Sequence, residues 1–206
     1  MSERHQHHAT IVERPGVRVC LRTRRRLRRS KAHRGGKQQR RGQIKDITLI
    51  ADRPAEVEDR VEFGHWEGDL VLGTNNSAIA TLVERTTRVT EIVKLDGIKS
   101  PVVVDAVTAH MQQMGAEVLV TLTWDQGKEM AEHKRLQDET KVPIYFCDPK
   151  SPWQRGTNEN TNGLVRQYFP KRIADFGNYS QDDYDQVAAE LNNRPRKILG
   201  YRTPAD

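Results

Sequence analysis

The sequence predicts an α/β fold: a mixed five-stranded sheet with helices on both faces, preceded by a basic arm without structure of its own. Three observations carry this reading. Charge is divided unevenly along the chain, short β-rich runs are punctuated by turn clusters, and helical periodicity begins only after the third run. Five runs read as strands, in the order three strands, helix, strand, helix, strand, helices.

The arm comes first. The 206 residues carry a net charge of +6, but residues 1–45 hold 15 Lys and Arg against 2 acids, a net of +13, and the remaining 161 hold 19 against 26, a net of −7. Residues 22–41, "RTRRRLRRSKAHRGGKQQRR", have 11 cations, no acid and almost nothing apolar to bury, so they predict disorder and attraction to polyanions. Binding through such an arm is salt-sensitive and largely blind to sequence, because each neutralised phosphate releases counterions. Arg24, Arg25, Arg26, Arg28 and Arg29 are its candidate phosphate contacts. "RGGK" lacks the spacing of a phosphate loop. Residues 46–62, with the polar, proline-bearing "RPAEVEDR", read as a linker, and residues 63–206 as the folded body.

The body opens with "EGDLVLG" (67–73), "AIATLVER" (78–85) and "VTEIVKL" (89–95), separated by "GTNNS" and "TTR", an antiparallel three-strand meander. In "PVVVDAVTAHMQQM", residues Val103, Val104, Val107, Met111 and Met114 recur at helical spacing between Pro101 and Gly115. "EVLVTLTWD" (117–125) is a buried strand, "KEMAEHKRLQDE" (128–139) a helix, and "VPIYFC" (142–147) a fifth strand. "TNENTNGLVRQYF" (157–169) and "QDDYDQVAAELNN" (181–193) are the last helices. Cys20 and Cys147 have no metal-ligand spacing, which excludes a zinc site or disulfide framework. There is no apolar run long enough for a membrane span and no leader-like h-region, so the expected location is cytoplasmic, in contact with the nucleoid.

In sheets of this order, ligands collect at the carboxyl ends of the central strands. Three acids answer that description: Asp69 within the first strand, Asp125 ending the fourth, and Glu159 at the helix start after the fifth. Each has an ordinary reading: a strand-edge solubiliser, a helix N-cap, and a first-turn acid favoured by the backbone dipole. Placed together they would repel, a cost relieved by divalent cations. Magnesium or manganese suits their hard oxygen atoms and phosphate partners, and two such ions suit in-line phosphoryl transfer.

The blocks "GHWEGDLVLG", "SAIATLVERTTR", "LTWDQGKEM", "IYFCDP", "SPWQRGTNENTNGLVRQYFPK" and "LNNRPRKILGYRTP" resemble, in the same order, the catalytic region of insertion-sequence transposases of the IS-thirty family, over about residues 53–206. The resemblance implies a ribonuclease H-like fold, as in retroviral integrases. It also implies an Asp-Asp-Glu metal site with 33 residues between the second and third acid, which is the separation of Asp125 and Glu159. On this likeness Asp69, Asp125 and Glu159 are the metal ligands of two Mg²⁺ or Mn²⁺ ions. The implied reaction is DNA strand cleavage by water, followed by attack of the freed 3′-hydroxyl on target DNA. The implied partners are double-stranded DNA, at element ends and target, and further copies of the chain on that DNA, with no membrane.

In the loop before the last acid, Pro149 and Pro152 are expected to stiffen the approach, and Thr157 or Asn158 to cap the helix carrying Glu159. Arg155, Arg166, Gln167, Lys171, Arg194 and Arg196 are candidate phosphate contacts, or an ordinary solvated face. Trp124 and Trp153 could stack on an unpaired base, although packing is the commoner use of such residues. His65 and His133 read as packed or surface histidines, and Cys147 as a small buried residue. The family's helix-turn-helix elements are not legible in residues 1–45. The expectation is therefore a truncated chain that keeps the chemistry, with a non-catalytic DNA-binding remnant or regulator as the rival.

Overall fold

The structure, a computed structural model, describes residues 44–54, 57, 59–149 and 151–206. The arm and its arginines, Arg24, Arg25, Arg26, Arg28 and Arg29, lie outside the described residues.

The sheet has six strands: β1 (Thr48–Leu49), β2 (His65–Leu72), β3 (Ala78–Glu84), β4 (Thr90–Lys94), β5 (Thr121–Trp124) and β6 (Ile144–Phe146). Their order is β1-β6-β5-β2-β3-β4. The meander is antiparallel, with Asp69 opposite Thr81 and Leu72 opposite Ala78, while β5 runs parallel to both β2 and β6. The expected five strands are all present. The sixth, β1, lies in the segment expected to be a linker, where Thr48 and Leu49 pair parallel with Tyr145 and Phe146. Two residues are too few to show a period of two, so this strand leaves no pattern to read.

The turn "GTNNS" closes β2 onto β3 because Asn75 and Asn76 tolerate left-handed backbone, at φ 51° and 59°, and Ser77 N donates to Thr74 O at 3.0 Å. Strand β3 is buried at all seven positions, and its side chains alternate between two cores. Ala78, Ala80 and Leu82 face the first core with Trp66, Leu122 and Trp124, under α1 (Ser100–Met114) and α2 (His133–Thr140). Ile79 faces the second, with Val71, Phe169, Phe176 and Tyr184, under α3 (Gly156–Tyr168) and α4 (Gln181–Asn192). Helices therefore cover both faces. Each large side chain enclosed here contributes about 1.5–3 kcal/mol, before the entropic cost of ordering it.

Two boundaries differ from expectation. The fourth run begins as a 3-10 turn at Ala116–Val118, since Gly64 O takes the N–H groups of Val120 and Thr121 and draws the chain into line only from residue 121. The helix expected over 128–139 is a 3-10 turn, Lys128–Met130, followed by α2. At the break Ser100 Oγ accepts the N–H of Glu132 at 2.9 Å.

Candidate active site

Asp69 stands on β2, opposite Thr81 of β3. The preceding residue, Gly68, has the ring of Trp124 lying across it: a Cβ there would sit 2.0 Å from Trp124 Cζ3, so only glycine allows the indole to pack flat against the strand. Trp124 is fully enclosed and donates its Nε1–H to Glu129 Oε1 at 3.2 Å. This overturns the idea that it stacks on a base. Trp153, by contrast, is 70% exposed.

Asp125 follows β5 directly, and its Oδ1 accepts the N–H of Gly127 at 3.0 Å, a local turn that fixes the carboxylate at the strand's carboxyl end. The turn leads into the 3-10 segment with Gly127, not Asp125, as its N-cap residue.

Arg155 joins the two aspartates. Its guanidinium lies 3.1 Å from Asp69 Oδ1 and 3.1 Å from Asp125 Oδ2, and its Nη1 donates to Gly68 O at 2.8 Å. Burial works against the charge of Arg155, but the two carboxylates outweigh it and raise the guanidinium above its ordinary value. Burial raises the carboxyl of Asp69, the Arg155 charge partly offsets this, and the neighbouring Asp125 adds to the rise. Glu129, beside Asp125, is also raised, first by burial and then by the Asp125 charge.

Helix α3 carries the rest. Its N-cap position is Arg155 and no side chain caps it, so neither Thr157 nor Asn158 plays the expected part. Both lie inside the helix, buried. Asn158 instead pins α3 to the sheet: its N–H donates to Glu67 Oε2 at 2.9 Å, and its Nδ2 to Glu67 O at 2.7 Å and Thr81 O at 3.0 Å. Glu67 is fully buried, with Arg85 Nη1 3.7 Å from its Oε1. Asn162, one turn on, donates Nδ2–H to Asp69 Oδ2 at 2.9 Å and accepts from Thr81 Oγ1 at 2.7 Å.

Residues three and four apart share a helix face. Arg155 and Asn162 both reach Asp69, and Glu159 lies between them on that stripe. Glu159 is exposed, and among the described residues no hydrogen bond or ion pair holds it. The structure thus brings Asp69 and Asp125 together through Arg155 and leaves Glu159 loose on the adjoining helix. Among the described residues no cluster of three or more His, Cys, Asp or Glu is grouped to hold a metal ion. The two aspartates nevertheless suit a cation, since their donors are carboxylate oxygens and a positive charge already sits between them.

The remaining candidates are placed elsewhere. Arg166 donates to Leu72 O at 2.6 Å and lies over the Phe176 ring; Arg194 pairs with Gln167 and the Tyr168 hydroxyl; Arg196 donates to Leu191 O at 2.8 Å. Lys171 is exposed. His65 is buried against Thr121 and Glu62, and His133 packs edge-on against Phe146, as read for both. Cys147 is buried, and burial pushes its thiol up to about 11. The residues that sequence reasoning missed as site-builders are Glu67, Asn158 and Asn162. The spacing of Arg155, Asn158, Glu159 and Asn162 held the signal, but Asn and Thr at a helix start also look like caps.

Known proteins share this sequence and this geometry. Residues 59–152 match the model of the integrase core domain, a stretch that includes Asp69 and Asp125 and stops short of Glu159. The chain is 50% identical over 186 residues to the transposase InsI of insertion sequence element IS30A from Escherichia coli (strain K12), covering 87% of this chain and 48% of that protein. It is 51% identical over 166 residues to the transposase of IS1086 from Cupriavidus metallidurans, covering 80% and 49%. The chain is thus similar to IS30-family transposases over most of its length, and to the integrase core domain over residues 59–152. It spans about half the length of these IS30-family relatives. Two solved structures share the fold. The catalytic core domain of BIV integrase aligns with a TM-score of 0.50 at 16% identity, over 70% of this chain and 92% of that one. A chain of the simian T-cell lymphotropic virus intasome, solved in complex with PP2A regulatory subunit B56 gamma, aligns at 0.54 and 18%, over 69% and 52%. The fold is ribonuclease H-like, with six strands where five were expected. No helix among the described residues is long and apolar enough to cross a membrane.

Proposed function

We propose that this chain is the catalytic core of a transposase that cuts DNA at the ends of an insertion sequence and joins the freed ends to target DNA, with Asp69, Asp125 and Glu159 as its metal ligands. The observation that carries the reading is the pair of aspartates gripping one cationic group at 3.1 Å each, Asp69 just past the last parallel pair of β2 with β5 and Asp125 directly after β5. When bound, Mg²⁺ or Mn²⁺, as two ions, would neutralise the phosphodiester's charge and ease ionisation of the attacking hydroxyl.

The chain's own residues have definite tasks. Leu70 N–H and Asn162 hold Asp69 from either oxygen, and Gly127 N–H holds Asp125. Arg155 neutralises both carboxylates, which would hold the metal ions when these are bound. Asn158, locked to Glu67 and Thr81, fixes the rotation of α3, so Glu159 needs only to turn its side chain toward Asp69. In the first step the oxygen of water bonds to phosphorus and the 3′-oxygen leaves. In the second the 3′-hydroxyl bonds to a target phosphorus as a target 3′-oxygen leaves, so the number of phosphodiesters is conserved. The proposed partners are double-stranded DNA and further copies of the chain assembled on it, in the cytoplasm.

One observation favours the rival reading, a non-catalytic DNA-binding remnant: Glu159 is not gathered with the aspartates. A plasmid nicking and strand-transfer assay with Mg²⁺ or Mn²⁺ separates the two. The proposal expects nicked and joined products that Asp125→Asn abolishes. DNA retention without products, or equal products from both proteins, would overturn it.

A further inference from the structure

Helix α3 has a second polar face. Thr157 and Asn160 point away from the stripe of Arg155, Glu159 and Asn162, since two residues along a helix turn through about 200°. They line a cavity of about 500 Å³ together with Arg60, Arg88, Arg196 and Lys197, and no described residue lining it is acidic. Four cations from three separate stretches of chain therefore converge on a space at the first turns of a 13-residue helix, where the backbone dipole adds positive potential.

Three features separate this cavity from an ordinary solvated basic face. Arg88 Nε and Arg196 Nε are enclosed and have no hydrogen-bond partner. Arg60 and Arg88 both hold left-handed backbone, at φ 54° and 68°, where asparagine or glycine would rest more easily. Burial lowers the guanidiniums of Arg88 and Arg196; at Arg88 the charge of Arg60 and, more weakly, of Arg196 adds to this, and Glu67 and Glu84 partly offset it. An anion would partner the enclosed guanidinium nitrogens and offset the repulsion between these cations.

We propose that this cavity binds backbone phosphates of duplex DNA, as a second anchoring point on the side of α3 turned away from the acids. The proposal deepens the DNA-joining reading and rests on it for the identity of the ligand. Its chemistry is sequence-independent: guanidinium and ammonium donors on phosphate oxygens position a strand without reading bases. Four cations from three stretches of chain offer more donors than one small anion can take.

The test is acylation of Lys197 in the full chain, mapped by mass spectrometry in EDTA, so that no metal-dependent chemistry contributes. Exposed Lys141 serves as the reference. Duplex DNA should slow Lys197 acylation about tenfold relative to Lys141, and inorganic phosphate at equal phosphorus should not. Arg60→Gln, and Arg88→Asn, which keeps the left-handed turn, should each lose the protection while their melting curves stay cooperative. Equal protection by inorganic phosphate would reduce the cavity to a small-anion site. Equal protection in Arg60→Gln, or none in the natural chain, would overturn the proposal while leaving the nicking result untouched. Nicking could in turn fail with the protection intact.

Discussion

The two halves of the candidate site are built by opposite rules. The aspartate half is over-determined: Asp69 on β2 and Asp125 directly after the adjoining β5 are held by backbone N–H groups and share Arg155. The glutamate half is a rigid base with a loose tip, for Asn158 pins α3 through buried hydrogen bonds while Glu159 holds no partner among the described residues. The difference teaches that preorganisation need not reach the last atom. Fixing a helix costs nothing further at the moment of reaction, and leaving one carboxylate free avoids crowding three negative charges in a half-buried space before a cation is present.

Each prediction strains one half. The largest effect is expected at the loose tip: Glu159→Gln should lower DNA cleavage about 1,000-fold, about 4 kcal/mol of barrier, without lowering the melting temperature, because no contact is lost. Cleavage and melting curves on one preparation check both parts; a stability loss would show that Glu159 is structural after all. Next comes the aspartate half. Gly68→Ala should cost about 3 kcal/mol by denaturant unfolding, since the new methyl meets the enclosed ring of Trp124. A cost near zero would mean that the strand and indole are not tightly apposed.

Cys147 reports whether the aspartate half stays shut. In a Cys20→Ser background, the Cys147 thiol, raised to about 11 by burial, should react with a disulfide reagent about 100-fold more slowly at pH 8 than an ordinary thiol. The rate should keep climbing past pH 9. The sign for stability follows: a thiol raised above its unfolded value of 9.0 keeps its proton in the fold, so its contribution is present below pH 9 and lost as pH rises toward 11. A rate that levels off near pH 9 would contradict the enclosure. The smallest effect is Asn158→Ala, at about 2 kcal/mol of stability, because Glu67 O and Thr81 O lose a buried donor. Cleavage should fall more than this loss explains, as α3 gains freedom to turn.

Much of this contrast could be read before any coordinates. The strands of the meander and α1 with its Val103, Val107 and Met111 stripe follow from periodicity and turn residues. Strand β1 did not show, because two residues carry no period. The acids stood out through their spacing, but their holders did not: Asn158 and Thr157 look like a cap, and only the register of α3 against β2 and β3 reveals that Asn158 faces the sheet. Arg155 was legible as a cation and not as the bridge between Asp69 and Asp125, since nothing local to it says which carboxylates the fold will bring near.

The claim on which the account depends is that Glu159 joins the two aspartates when a divalent ion is offered. Electron paramagnetic resonance of Mn²⁺ titrated into the natural chain, Asp125→Asn and Glu159→Gln measures this directly. The account predicts that both substitutions weaken Mn²⁺ binding by about tenfold or more. Wild-type affinity in Glu159→Gln, alongside a loss in Asp125→Asn, would contradict it.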